Sequence, residues 1–280
     1  MGLNVFFIVY RESFEAVLIL SIVWSILVKS SVNKKIIHFV LSTGTLLGLM
    51  LSTLTAFMIY KFQSMLPENF LDLFNNGILI ISVFLITHMC LWMAKNAKNI
   101  KNELGKSIEK SLEKIDYWGL IVLVCLSIAR EGIETVIFLS GTMIEATRDQ
   151  VMEYSAISIL GILASLVTLY IFLKGFKFFK PKVFFMISSI FLFITAGSFV
   201  IKIIQSFVNS EYLPALKEAV WDSSFLLDES SSFGNFISMF TGYHSMPNLM
   251  TIITYLIYWL IVVALYYRTV KENTQASAKA

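Results

Sequence analysis

The stretches RESFEAVLIL (residues 11–20) and REGIETVIFL (residues 130–139) each place one arginine and two glutamates inside a run of residues that is otherwise apolar. Extended to the serine that follows each of them and aligned without gaps, the two stretches are identical at six of eleven positions. They lie 119 residues apart. The fold must therefore accommodate three charges, twice, in surroundings that exclude water.

The composition indicates which surroundings these are. The chain has 280 residues, and 57% of them are hydrophobic, compared with about 45 to 50% in soluble domains. A helix needs about 20 apolar residues to cross a bilayer, and the chain shows no alternating pattern typical of membrane strands. We therefore expect an all-α integral membrane protein, one membrane domain over residues 1–280, with seven transmembrane helices at about 4–28, 36–60, 74–94, 117–144, 154–173, 183–207 and 249–267.

The basic residues predict the orientation of these helices. Of the 22 lysines and arginines, 16 fall in alternate connections and the C-terminal tail, four fall on the other side, including Lys202 near the outer end of the sixth span, and two lie deeper within the spans. Because basic loops stay in the cytoplasm, we expect the N-terminus outside, the C-terminus inside, a cytoplasmic loop at 95–116 and an outer loop at 208–248. The chain is then a multi-pass protein of the cytoplasmic membrane. Nothing in the charge pattern indicates nucleic acid.

The outer side carries most of the acidic residues, so it would concentrate cations near the membrane surface. Three acids of the outer loop are candidates for collecting a metal ion there: Asp222, Asp228 and Glu229. The alternative interpretation, a solvated acidic loop, has equal support.

The two charged stretches also indicate an internal repeat. Three predicted helices separate the start of one stretch from the start of the other, and an odd number reverses the direction in which the chain enters the membrane. We therefore expect an inverted repeat of helices 1–3 and 4–6, with the seventh helix outside the repeat. In folds of this kind the binding site lies near the midplane, where the halves meet.

The spacing of the charges predicts what they can bind. In each stretch the two glutamates are three residues apart, on one helix face, and the arginine lies four residues before the second glutamate. Charged side chains at the bilayer centre cost about 2.5 to 3.5 kcal/mol each. If all six converge, two net negative charges remain, which a multivalent cation would neutralise. Carboxylates are hard donors. The predicted metal ligands are Glu12, Glu15, Glu131 and Glu134, with Arg11 and Arg130 as their ion-pair partners. The alternative is that the charges form ion pairs that join helices 1 and 4.

These residues resemble a known family. Arg11-Glu12-x-x-Glu15 and Arg130-Glu131-Gly132-x-Glu134 look like the paired REXXE and REGLE motifs of the oxidase-dependent iron permeases, the EfeU-type bacterial proteins and their eukaryotic relatives. A late segment, VWDSSF at 220–225 and GYHSMPN at 242–248, is also similar to that family. Ser13 stands where the family usually has glycine.

The resemblance implies an iron permease rather than an enzyme. Iron(II), iron(III) or both would be the substrate, with no permanently bound cofactor and no catalytic residue. The implied partners are iron ions, the lipid bilayer, an extracytoplasmic iron-binding protein and an oxidase or peroxidase.

Two other functions stay open. The same carboxylates would serve a transporter of another divalent cation, such as manganese. A membrane di-iron oxidase is the second alternative, although such bundles use Glu-x-x-His and this chain has only three histidines. His88, in the third predicted span, is a candidate residue of the ion pathway, or else a hydrogen-bonded packing residue.

Overall fold

A computed structural model of the chain describes residues 2–30, 32–96, 117–143, 148–174, 181–228, 231, 234, 237–238 and 241–279. The described part contains these helices: α1 (Gly2–Lys29), α2 (Lys34–Met65), α3 (Glu68–Asn96), α4 (Tyr117–Met143), α5 (Arg148–Leu173), α6 (Pro181–Asn209) and α7 (Leu249–Lys279). Each predicted span falls within one of them, apart from the last residue of the fourth. Nearly all of the predicted cytoplasmic loop lies outside the described residues.

Five of these helices, α2, α3, α5, α6 and α7, are long and apolar enough to cross a membrane. The other two, α1 and α4, carry the two charged stretches. Large apolar side chains cover the outer faces of the bundle, as on α2, where Leu46 and Met50 are each 69% exposed. Such a surface would be costly in water and suits contact with lipid, so the chain is a helical membrane protein.

Several helix ends follow from local chemistry. The Asn33 side chain accepts a hydrogen bond from Lys35 N at 3.0 Å and caps the start of α2. Leu66 is extended because it precedes Pro67, so α2 ends there. The Asn248 side chain accepts a hydrogen bond from Thr251 N at 2.7 Å at the start of α7.

The helices pair in a symmetric way. The most extensive contacts are those of α2 with α4, α1 with α5 and α3 with α6, and α1 also contacts α4. If the two halves are exchanged, α1 for α4, α2 for α5 and α3 for α6, this set of pairs maps onto itself. Each half therefore contributes its second helix to the other half, which supports a structural repeat.

The same repeat is visible in individual close contacts between helices. A Cβ on Gly48 of α2 would lie 2.8 to 3.0 Å from atoms of α4, namely Ile128 Cβ, Cys125 O and Ala129 N. A Cβ on Gly161 of α5 would lie 3.2 to 3.4 Å from the atoms of α1 found 119 residues earlier, namely Val9 Cβ, Phe6 O and Tyr10 N. These glycines let the helix backbones approach closely, as expected for small residues at membrane helix contacts.

The contacts also fix the helix directions. Along α2, Gly44 faces Val124 and Gly48 faces Ile128, so α2 and α4 are parallel. Since α1 precedes α2 through a short connection and runs the opposite way, α1 and α4 are antiparallel. The end of the bundle that contains Gly2 is called the Gly2 end, and the opposite end is called the Lys29 end.

The segment between α6 and α7 lies at the Gly2 end. Its two arms join where Val220 N donates to Pro247 O at 3.0 Å and Ser223 N donates to Ser245 O at 2.9 Å. The Tyr243 hydroxyl lies 2.7 Å from the Ser223 hydroxyl and reinforces this junction.

Candidate metal site

The two charged stretches meet where α1 and α4 cross inside the bundle. Glu12, Glu15, Glu131 and Glu134 are all buried. Carboxylate oxygens of three of them, Glu12, Glu131 and Glu134, lie within 4.8 Å of one another. Because α1 and α4 meet inside the bundle, Glu12 lies next to two glutamates found 119 and 122 residues later in the chain. These three glutamates are here called the Glu cluster.

The fourth glutamate has a different environment. Arg11 Nε lies 2.9 Å from Glu15 Oε1, so the two side chains form an ion pair within α1. Arg11 Nη1 donates to Glu12 Oε1 at 3.4 Å. Glu15 thus pairs with Arg11 and is not part of the Glu cluster. The sequence predicted four ligands on equal terms, whereas the structure groups three.

The second arginine makes the corresponding contacts on α4. Arg130 Nε donates to Glu134 Oε1 at 3.0 Å and lies 4.0 Å from Glu131 Oε1. The described ion pairs of both arginines are formed with glutamates of the same stretch.

One oxygen of each glutamate in the Glu cluster has no hydrogen-bond partner among the described residues. The Oε2 atoms of Glu12, Glu131 and Glu134 are buried and accept no hydrogen bond from the described residues. Buried polar atoms are normally paired, and an unpaired one costs about 1 to 3 kcal/mol or more when charged. The cluster therefore has the oxygen donors, the negative charge and the free valences that a hard cation requires.

Apolar side chains flank the cluster on both sides. Ile8, Phe138 and Phe199 pack together toward the Gly2 end, and all three are fully buried. Phe14, Met89 and Met93 form a second cluster beside α3. Low polarity around the carboxylates strengthens their attraction to a cation.

The two arginines differ in their exposure. The Arg11 side chain is 1% exposed and the Arg130 side chain 46% exposed. The Arg130 guanidinium lies over the ring of Trp92 on α3, 5.6 Å from its centroid. The sequence carries no signal for the role of Trp92, because its contact with Arg130 joins two helices through packing alone.

The other predicted site residues lie elsewhere. His88 is exposed on α3 and stacks on Phe84 with 6.2 Å between ring centroids. Asp222 is exposed and accepts hydrogen bonds from the hydroxyl and backbone N–H of Ser224, which lower the pKa of its carboxyl group. Asp228 is exposed as well, and Glu229 lies outside the described residues. None of the three described residues joins the Glu cluster.

The fold and the site together define a class: a multi-pass helical membrane protein in which two related halves enclose a buried carboxylate cluster. Comparison with known proteins gives the family. Residues 2–275 match the Iron permease FTR1 family, and the chain belongs to it.

Curated relatives agree along nearly the whole chain. The chain is 26% identical over 275 residues to the "Ferrous iron permease EfeU" of Escherichia coli O6:H1, covering 97% of this chain and 98% of the relative. It is 27% identical over 265 residues to the protein of the same name in Yersinia pestis, covering 94% and 92%. No solved structure matches the chain significantly. The chain is thus similar to permeases, which are transporters rather than enzymes.

Proposed function

We propose that this protein moves iron ions inward across the cytoplasmic membrane and that Glu12, Glu131 and Glu134 bind the ion on its way. The observation that carries the proposal is the Glu cluster itself. It places three carboxylates within 4.8 Å of one another, each with a buried oxygen that accepts no hydrogen bond from the described residues. Charges at this depth are expensive, and a bound cation would offset their mutual repulsion.

In this proposal all seven helices cross the membrane as an inverted repeat plus α7. Helices α1 and α4 do so in spite of their charges, because the glutamates and Arg11 face the interior of the bundle. The Gly2 end faces outward. Lysines at the Lys29 end support this orientation, since basic loops stay in the cytoplasm; they include Lys29, Lys34, Lys35, Lys95 and Lys174.

The names of the relatives support iron(II) as the transported form. Carboxylate oxygens also suit iron(III), which is the harder ion, so the uptake experiment must include both oxidation states. Before transport, acidic residues of the outer loop would attract the ion, among them Asp222, Asp228 and Glu229. We further propose that an extracytoplasmic iron-binding protein and an oxidase or peroxidase deliver the iron. Iron is the substrate here, and the proposal includes no resident cofactor.

Transport requires the carboxylates to replace the water ligands of the ion. The free Oε2 atoms of the three glutamates can do so at once. A glutamate that also binds the ion through its Oε1 atom must first break its ion pair with the arginine. Release toward the Lys29 end follows when the halves move and the displaced carboxylate returns to its arginine.

The test is uptake of radiolabelled iron into proteoliposomes, with iron(II) kept reduced and iron(III) supplied as a soluble chelate. We expect Glu131→Gln to abolish uptake, since it removes one of three ligand charges while preserving the shape of the side chain. Glu153→Gln is the matched control, because Glu153 is exposed on α5 and lies outside the Glu cluster. Equal amounts of each protein must be present in the vesicles.

The result that contradicts the proposal is normal uptake by Glu131→Gln. Competition with manganese separates the proposal from its first alternative, because equal competition by manganese and iron would indicate a general divalent cation transporter. Turnover of an oxidisable substrate without ion movement would indicate the di-iron oxidase instead.

A further inference from the structure

The two copies of the repeated motif are not equivalent in the folded protein. Each arginine holds the glutamate four residues ahead, at 2.9 Å in α1 and 3.0 Å in α4. Yet only Glu134, the partner of Arg130, belongs to the Glu cluster, whereas Glu15, the partner of Arg11, does not. The difference between the copies must come from their surroundings, because the spacing of their charges is identical.

A glutamate can bind a cation with both oxygens only if its ion pair with the arginine is broken. The arginine then carries an uncompensated charge, which costs much more in a dry interior than at a wet or polarisable position. The ease of exchange therefore depends on what else stabilises each guanidinium.

Arg11 has little to replace Glu15. Its side chain is 1% exposed, and the described contacts give it no aromatic ring. Its other close carboxylate is Glu12, a member of the Glu cluster, 3.4 Å away. Losing Glu15 would leave a buried positive charge whose remaining partner is already needed by the cation.

Arg130 has a replacement for Glu134. The face of the Trp92 ring lies 5.6 Å from the guanidinium carbon, and the protein leaves almost half of the Arg130 side chain uncovered. Trp92 is itself held in place, because it packs against the cluster of Phe14, Met89 and Met93. A tryptophan face attracts a cation through its quadrupole, more strongly than tyrosine or phenylalanine.

We propose that Arg130, and not Arg11, exchanges its carboxylate for the transported cation, and that Trp92 is the positioning residue that holds Arg130 while Glu134 binds the cation. The inference rests on the proposed function and adds an order of events to it. Arg11 and Glu15 stay paired throughout. Glu134 swings between Arg130 and the ion, with Trp92 lowering the free energy of the state in which Arg130 has no carboxylate.

The experiment measures iron(II) binding to the purified protein in lipid nanodiscs, by anaerobic titration calorimetry. Trp92→Leu removes the ring face and keeps an apolar side chain, so the dissociation constant should rise about tenfold, the effect of losing one partly desolvated cation–π contact. The dissociation constants of Trp92→Tyr and Trp92→Phe should lie between those of the wild type and of Trp92→Leu. Trp24→Leu is the matched control: Trp24 is also half-buried, but its ring makes an edge-on contact with His38 and none with an arginine among the described residues.

A double-variant comparison separates positioning from packing. In a Glu134→Gln background, Arg130 no longer has a carboxylate to exchange, so Trp92→Leu should cause no further change in the dissociation constant. A merely structural role for Trp92 would weaken binding equally in both backgrounds.

The outcomes distinguish the two proposals. If Trp92→Leu binds iron like Trp24→Leu, or if affinity fails to follow the order of ring strength, the inference is wrong. In that case, loss of binding in Glu131→Gln would still uphold the proposed function. Should Glu131→Gln bind iron normally, the proposed function itself is wrong. The aromatic series decides the question even if Trp92→Leu does not fold.

Discussion

The same substitution in the two copies of the motif should have different effects on stability. Arg11→Gln removes a guanidinium that is 1% exposed and leaves Glu15 and Glu12, at 2.9 and 3.4 Å, without their positive partner. Removing one member of a buried ion pair costs about 3 to 5 kcal/mol. Arg130→Gln removes a guanidinium that is 46% exposed, so the protein can rearrange around it more easily than around Arg11, and we expect a smaller cost of about 1 kcal/mol.

These costs convert to melting temperatures. For a protein of this size, about 1 kcal/mol corresponds to about 2 to 4 °C. We therefore expect Arg11→Gln to lower the melting temperature by about 6 to 20 °C, and Arg130→Gln by about 2 to 4 °C. The assay heats detergent-solubilised protein and measures the folded fraction by size-exclusion chromatography. Equal shifts for the two variants, or a larger one for Arg130→Gln, would refute the reasoning from burial.

Three further predictions concern binding and packing. Glu134→Gln should weaken iron(II) binding at least tenfold, while Glu15→Gln should change it less than about threefold, as measured by calorimetry on the folded fraction; the reverse order would contradict the grouping of the glutamates. Iron(II) at about 100 times its dissociation constant should stabilise the wild type by about 2.7 kcal/mol but leave Glu131→Gln unchanged in a melting assay. Gly48→Ala should destabilise the protein by about 1 to 3 kcal/mol, because its Cβ would lie 2.8 Å from Ile128 Cβ, whereas Gly77→Ala, with no atom within 4 Å, should be neutral or stabilising.

The sequence predicted the elements of this fold well because its signals are local. An apolar run of about 20 residues specifies a membrane helix whatever lies beside it. Proline and asparagine set several helix ends by their own chemistry, as Asn33 and Pro67 do around α2. The repeated charges predicted that α1 and α4 are copies of one repeat. The structure agrees, because Gly48 packs against α4 at the positions that correspond to those at which Gly161 packs against α1.

These local signals do not predict how helices that are distant in the sequence pack against one another. The motif spacing treats Glu15 and Glu134 alike, but only the positions of the neighbouring helices bring one of them into the Glu cluster and leave the other with Arg11. His88 shows the same limit: its residue type suggested a pathway role, while the structure leaves its side chain exposed on α3 and outside the Glu cluster.

The sequence by itself determined that this chain is a bundle of apolar helices with two related triplets of charge inside it, because hydrophobic length and residue spacing act within a single helix. Only the tertiary structure decided which three carboxylates meet, which arginine is enclosed by the protein and which one lies over Trp92. The physical reason is that burial and charge stabilisation depend on atoms from other helices, and identical motifs acquire different properties when different neighbours pack against them.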